Sequence, residues 1–277
     1  MRDATFGQYY PSKSFVHRLD PRTKILFLIV YIVAVFLAED FYALGASALL
    51  FVFMAAFSGV PFKSLFRAVR GILFLLLFMT VLNLFFFKEG TALYEAPFGW
   101  DFLVITDKAV YHTVFLTVRL FLLVLSSSIL TLTTTPVSLA DGIESLLTPL
   151  KWIRFPVHEL ALIMSIALRF IPILTDETAR IMNAQKARGA DFESGSLFKR
   201  VKAIVPILIP LLISAFRRAD ELGDAMDARC YSGSKVRTKY KKLTLGWRDA
   251  IAAVIGLILL AGVILLKIFR LPIFYFF

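Results

Sequence analysis

Two short segments hold the residue types best placed for chemistry. Ala184-Gln-Lys-Ala187-Arg188-Gly189 recurs 41 residues later as Ala225-Met-Asp-Ala228-Arg229-Cys230. Each copy sets an arginine beside small residues at the end of an apolar-periodic stretch, and each precedes a polar break with a glycine, Gly195 or Gly233. A guanidinium presents a rigid fork of donors that matches a carboxylate. Small neighbours let a helix end enter a groove closely. Two such ends read as plugs for two similar sockets, and hence for a dimeric cytoplasmic partner. A plainer reading covers part of the pattern: an arginine in a last helical turn complements the helix dipole, and a glycine after it caps the helix. That reading accounts for the arginines but not for alanines at fixed spacing.

Catalytic patterns fail elsewhere. No Gly-Lys dipeptide occurs, so no Walker A phosphate loop is present. His158-Glu159 opens like a zinc-protease helix, but position 162 is Leu where the second ligand belongs. His17, His112 and His158 are isolated in sequence and read as structural or surface groups before metal ligands. A lone Cys230 excludes an internal disulfide and a multi-cysteine metal site. Ser126, Ser127 and Ser128, near Thr131 to Thr135, read as hydrogen-bonding groups within or between helices. Arg119 is sharper, because a guanidinium at membrane depth costs ~3 kcal/mol on insertion scales. It either faces a path or gate, or pairs with a carbonyl or a neighbouring subunit.

These groups must be positioned by membrane helices. The chain has 277 residues, 58% hydrophobic and 18% charged, with a mean hydropathy of +0.76. That balance points to an all-α integral membrane protein and away from a disordered chain or an ordinary soluble enzyme. The net charge of +11 fits Lys- and Arg-rich cytoplasmic loops better than nucleic acid, since no basic, aromatic-rich soluble module is visible. Residues 1–24 are charged without an apolar core, so no cleavable signal peptide is expected.

Five spans are expected. The first starts at Asp20-Pro21, where Asp serves as N-cap and Pro as first helical residue, and runs to Ala38 with Lys24 snorkelling to the interface. Phe41–Val60, Ile72–Phe87 extended from Arg67, Val110–Leu132 and Ile251–Leu266 follow, with a polar loop over 88–108. Two further apolar stretches, Leu160–Leu174 and Val205–Phe216, are short, hold Arg169 and Pro172 or Pro206 and Pro210, and flank a base-rich segment. They are expected to be long amphipathic helices on or under the membrane, bent at their prolines. From Leu197 the apolar residues fall on one stripe through Val201, Ile204, Val205, Leu208, Leu212 and Ala215 to Met226. The charge of the connecting segments then places the N-terminus in the cytoplasm. The expected organisation is a membrane domain over 1–132, a coupling-helix domain over 133–245 and a last span over 246–277.

The chain resembles the transmembrane T component (EcfT family) of energy-coupling factor vitamin transporters. The resemblance runs through His17-Arg-Leu-Asp-Pro-Arg-Thr-Lys24, Thr131-Leu-Thr-Thr-Thr-Pro136, Asp141-Gly-Ile-Glu-Ser-Leu-Leu147, Pro156-Val-His-Glu-Leu160 and Ser165-Ile-Ala-Leu-Arg-Phe-Ile-Pro172. The two Ala-Arg-Gly boxes are the family signature; the second reads Ala228-Arg229-Cys230, a departure that weakens its C-cap and points to Gly233 as the residue making the turn. The resemblance implies a non-catalytic subunit of a vitamin or metal importer in the plasma membrane. It implies two ABC-type ATPases, which hold the ATP and Mg, docked at Ala187, Arg188, Gly189, Ala228, Arg229 and Cys230. It also implies a substrate-binding S component held on the stripe from Val201 to Ala215 above and on Leu160, Ile163, Met164, Ala167 and Ile171. A self-sufficient permease or channel, with Arg119 and Asn83 lining its path, is the competing reading. An intramembrane enzyme is a remote third, since no charged constellation at membrane depth supports it.

Overall fold

The computed structural model describes residues 9–12, 14–86, 92–94, 105–153, 155–190, 192, 196–231 and 243–269. Eight α-helices are described: α1 (Pro21–Leu37), α2 (Phe41–Ser58), α3 (Phe62–Phe86), α4 (Asp107–Thr133), α5 (Pro136–Leu146), α6 (Val157–Ala187), α7 (Leu197–Ala228) and α8 (Trp247–Phe269). A short antiparallel ladder of β1 (Ala92–Tyr94) and β2 (Ile105–Thr106) pairs Ala92 with Thr106 within the expected 88–108 loop. Residues 88–91 and 95–104 of that loop, and Gly195, Gly233 and Arg270, lie outside the described residues, and Asp107 and Lys108 open α4.

Helix starts follow local chemistry. Asp20 accepts the Arg22 amide with Pro21 in the first turn, as its type and place predict. Thr135 caps α5 through the Ser138 amide, again with proline at the first position. Thr106 caps α4 through the Ala109 amide. Gly59 ends α2 at φ 65°, a left-handed conformation that a side chain resists.

The chain forms two units: residues 1–154 with 243–277, and residues 155–242. In the first, α1 packs against α2, α4, α5 and α8, and α3 packs against α4. Tyr31, Val35, Leu44, Phe51, Leu122 and Ile129 form the main core, where burial excludes water and lipid alike. Gly142 lets α5 lie on α1, since a Cβ there would stand 3.0 Å from Pro21 Cβ. α5 and the 3-10 turn Thr148–Ile153 therefore group with the membrane helices, and the second unit begins at Phe155 rather than at residue 133.

Among the described residues five helices are long and apolar enough to cross a membrane, by length and composition: α2, the Val69–Phe86 part of α3, α4, α6 and Trp247–Ile268 of α8. The count equals the expectation, but the membership differs. α1 has 17 residues, about 26 Å at 1.5 Å each, slightly short of a ~30 Å hydrocarbon core. α6 qualifies because it continues through Pro172 for 31 residues. α7 likewise continues through Pro206 and Pro210.

Candidate partner-docking site

The second unit consists of two long helices packed on each other. Glu177 of α6 and Arg218 of α7 form an ion pair at 3.2 Å, 41 residues apart in sequence. The two Ala-Arg boxes are also 41 residues apart. Arg188 and Arg229 each therefore lie eleven residues beyond the ion-paired residue of their own helix. At 1.5 Å per residue each arm reaches about 16 Å from that contact to its arginine. The repeat in sequence is thus a repeat in geometry: two equal arms, each tipped by one arginine.

The tips are built alike down to their hydrogen bonds. At α6 the Ala190 amide donates to the Gln185 carbonyl at 3.0 Å, and the Gly189 amide donates to Lys186 at 3.0 Å. At α7 the Tyr231 amide donates to the Met226 carbonyl at 3.0 Å, and the Cys230 amide donates to Asp227 at 2.8 Å. Both are Schellman motifs, in which the residue after the cap turns left-handed and satisfies the last carbonyls. Gly189 has φ 86° and Cys230 has φ 55°, the one positive φ among described non-glycine residues. The expectation that Cys weakens this cap, leaving the turn to Gly233, is corrected: Cys230 itself makes the turn. The hydrogen-bonded motif holds the left-handed residue in place against its steric cost of roughly 1–2 kcal/mol.

Arg188 and Arg229 occupy the cap position of their helices, and both are exposed, as are Ala187, Gly189, Ala228 and Cys230. Among the described residues no hydrogen bond or ion pair engages either guanidinium. Each tip is thus a small, exposed surface with one free cation, able to enter a groove and meet a carboxylate on its wall.

The apolar stripes lie along the same helices. Leu160, Ile163 and Met164 of α6 are exposed, as are Ile204, Val205, Leu208 and Leu212 of α7. Ala167 is exposed, and Ile171 and Ala215 are half-buried. The side chain of Val201 lies outside the described ones. Beyond this stripe, Ile209, Ile213 and Phe216 are exposed on α7 too, so its middle is apolar around most of its girth. Such a surface is out of place in water and is covered in the assembled molecule by lipid or by protein.

Arg119 takes the carbonyl-pairing option. Its Nη2 donates to the Ala38 carbonyl, which ends α1, and its guanidinium lies 4.7 Å from the Phe115 ring. Asn83 donates to the Met79 carbonyl of its own helix at 3.0 Å. Ser126 and Ser128 donate to Leu123 and Val124 within α4. Among the described residues no three His, Cys, Asp or Glu side chains gather as a metal set.

A buried polar knot in the first unit escaped the sequence reading. Lys24, expected to snorkel, is buried. Its Nζ donates to the Thr133 carbonyl at 2.9 Å, to the His17 carbonyl at 3.3 Å and to Thr134 Oγ1 at 3.4 Å. Asp249 accepts the Asp20 amide at 2.8 Å and the Gly246 amide at 2.8 Å. His17 Nε2 donates to the Tyr10 carbonyl at 2.8 Å, so Nδ1 accepts from Ser14 at 2.7 Å. Burial lowers the His17 pKa, the Tyr10 carbonyl opposes that, and the Lys24 charge adds to the lowering. The usable signal was Thr131-Leu-Thr-Thr-Thr-Pro136: a threonine run ending a helix supplies acceptors for a lysine that cannot reach water.

Comparison with known proteins gives a consistent result. Residues 12–240 match the family model described as cobalt transport protein (CbiQ). The chain is 44% identical over 267 residues to the energy-coupling factor transporter transmembrane protein EcfT of Ruminiclostridium cellulolyticum, covering 96% of this chain and 98% of that one. It is 48% identical to the EcfT of Acidaminococcus fermentans over 98% of each chain. The Bacillus subtilis EcfT is 42% identical over 95% of this chain and 98% of its own.

Proposed function

The chain belongs to the EcfT family of energy-coupling factor transporter transmembrane components, and from that premise we propose that it couples two partner ATPases to a substrate-binding membrane S component. Arg188 and Arg229 each dock into one ABC-type ATPase subunit. The apolar faces of α6 and α7 hold the S component, which selects the vitamin or metal carried. ATP and Mg sit on the ATPases, and this chain is not an enzyme. The N-terminus faces the cytoplasm, where the basic segments gather.

The observation that carries this reading is the pair of equal arms. Two tips of the same chemistry, at the same reach from one ion pair, suit two equivalent sockets. When ATP draws the sockets together, seated tips follow, and the apolar faces of the same helices change their grip on what they hold. Nucleotide shifts that equilibrium only by its differential affinity for the two arrangements.

The test is co-purification of the tagged chain under gentle extraction, with the accompanying proteins identified by mass spectrometry. Two ATP-binding subunits and a small membrane protein are expected. A chain that comes out alone and still moves a solute in vesicles would overturn the proposal in favour of a permease.

A further inference from the structure

The first unit contains a cavity of about 420 Å³ that the coupling role does not use. That volume falls within the roughly 300–1,000 Å³ of small-molecule sites. Its walls are Leu28 of α1, Met54 and Phe57 of α2, Leu130 of α4, and Ile251 and Ile255 of α8. Those positions lie in the first half of α1 and α8 and in the second half of α2 and α4. All four helices therefore contribute from one end of the bundle. Ten helical residues cover about 15 Å, half of a ~30 Å hydrocarbon core, so the cavity lies within one leaflet. The segment that leaves α2 at this end is basic, with Lys63, Arg67 and Arg70.

The cavity is open on its side rather than sealed, since Phe57 and Ile251 are substantially exposed. In a membrane protein such an opening faces acyl chains. At the outer end of the groove stands a headgroup-level cluster. Trp247 precedes Ile251 and Ile255 by four and eight residues, on one stripe of α8. It is 67% exposed, and the Arg248 guanidinium lies 5.6 Å from its ring. Tryptophan at a helix end marks the interface, and arginine there meets phosphate. Arg18, exposed, adjoins Leu19, which lines the cavity. Lys24 also lines the cavity, but its ammonium is held by Thr133, His17 and Thr134, so Arg18 and Arg248 supply the charge.

We propose that this cavity holds one acyl chain of an anionic phospholipid, with its headgroup at Arg18, Trp247 and Arg248. The proposal rests on membrane placement alone and not on the docking role of the α6 and α7 tips. The occupant follows from charge complementarity at the mouth and from continuity of the groove with the bilayer.

The test uses the full chain in its native complex, reconstituted in vesicles of equal phosphatidylglycerol and phosphatidylethanolamine. After extraction with a delipidating detergent, native mass spectrometry counts retained lipid. One phosphatidylglycerol per chain is expected. Leu28→Trp and Ser126→Leu fill the cavity from different helices, and either one that keeps wild-type helicity should lose that lipid. Arg18→Gln with Arg248→Gln should abolish the preference for phosphatidylglycerol. Equal retention of phosphatidylethanolamine by the wild type would overturn the proposal, as would lipid retained in a folded filling variant. A photo-crosslinker at Met54 that captures polypeptide and no lipid would assign the groove to a protein partner and overturn it too.

Discussion

Replacing Lys24 with methionine keeps most of the side-chain volume and removes the ammonium from a buried site. Three acceptors lose their donor: the Thr133 carbonyl at 2.9 Å, the His17 carbonyl at 3.3 Å and the Thr134 hydroxyl at 3.4 Å. A buried carbonyl left without a partner costs about 1–3 kcal/mol. Asp249 stays buried at 7% exposure without the nearby Lys24 charge, while Asp20, at 8%, keeps only Arg22 at 3.9 Å. Removing one side of a buried charge set costs about 3–5 kcal/mol. The two estimates overlap because they describe the same ammonium, so the expected loss is about 3–5 kcal/mol in total. For a chain of this size each kcal/mol moves the midpoint by about 2–4 °C, which gives a drop of roughly 6–20 °C. The assay is thermal unfolding of the purified chain in mild detergent, followed by circular dichroism of its helices. Because Lys24 ties the segment before α1 to the end of α4, limited proteolysis should also open the chain near residue 17. A Lys24→Met variant melting within about 2 °C of the wild type would refute the reasoning, and Lys24 would then be a snorkelling residue after all.

Three other outcomes follow from single groups. Arg119→Met leaves the Ala38 carbonyl without its donor, lowers stability by about 1–3 kcal/mol, and leaves uptake per folded complex unchanged; abolished uptake at unchanged stability would restore a gating role. Because the His17 pKa is depressed below 6.5 in the folded chain, its protonation opposes folding: its contribution is complete above pH 6.5 and is lost as pH falls toward the folded value. The melting midpoint should therefore drop from pH 7.5 to 5.5, less so in His17→Gln, and equal slopes in the two proteins would contradict this. Cys230→Gly removes a side chain from a left-handed position, so hydrogen exchange at the Tyr231 amide should slow about fivefold, the equivalent of roughly 1 kcal/mol, whereas Cys230→Val should speed it.

The reach of sequence reasoning differs from one element to another. The start of α1 was legible because Asp-Pro encodes both the cap and the fixed φ of the first residue. The same logic in Thr135-Pro136 marks α5, which merged instead into a long coupling segment; its packing depends on Gly142, a space that opens only when Pro21 comes near. Hydrophobic windows placed the spans α2, α4 and α8 to within a few residues, but could not tell that α3 begins at Phe62, where apolar and basic residues mix. The echo of Ala187-Arg188 in Ala228-Arg229 was visible in the residues. The pair of Schellman bonds that both ends share, with Cys in a place that glycine chemistry favours, was not, since backbone φ is imposed there by the bonds of Tyr231 and Cys230 to the last carbonyls. The burial of Lys24 was hidden for a related reason: two of its three partners, the Thr133 carbonyl and the Thr134 hydroxyl, come from a segment more than a hundred residues away.

The central claim is that Arg188 and Arg229 seat the two ATPases. Occupancy of ATPase per chain, measured by quantitative mass spectrometry of the intact complex, tests it most directly in Arg188→Glu, Arg229→Glu and the double variant, with circular dichroism confirming unchanged helix. The account predicts two ATPases per chain in the wild type, a partial loss in each single variant and none retained in the double variant, while the S component stays bound. Two ATPases retained on a folded double variant would contradict it and return both arginines to the role of helix caps.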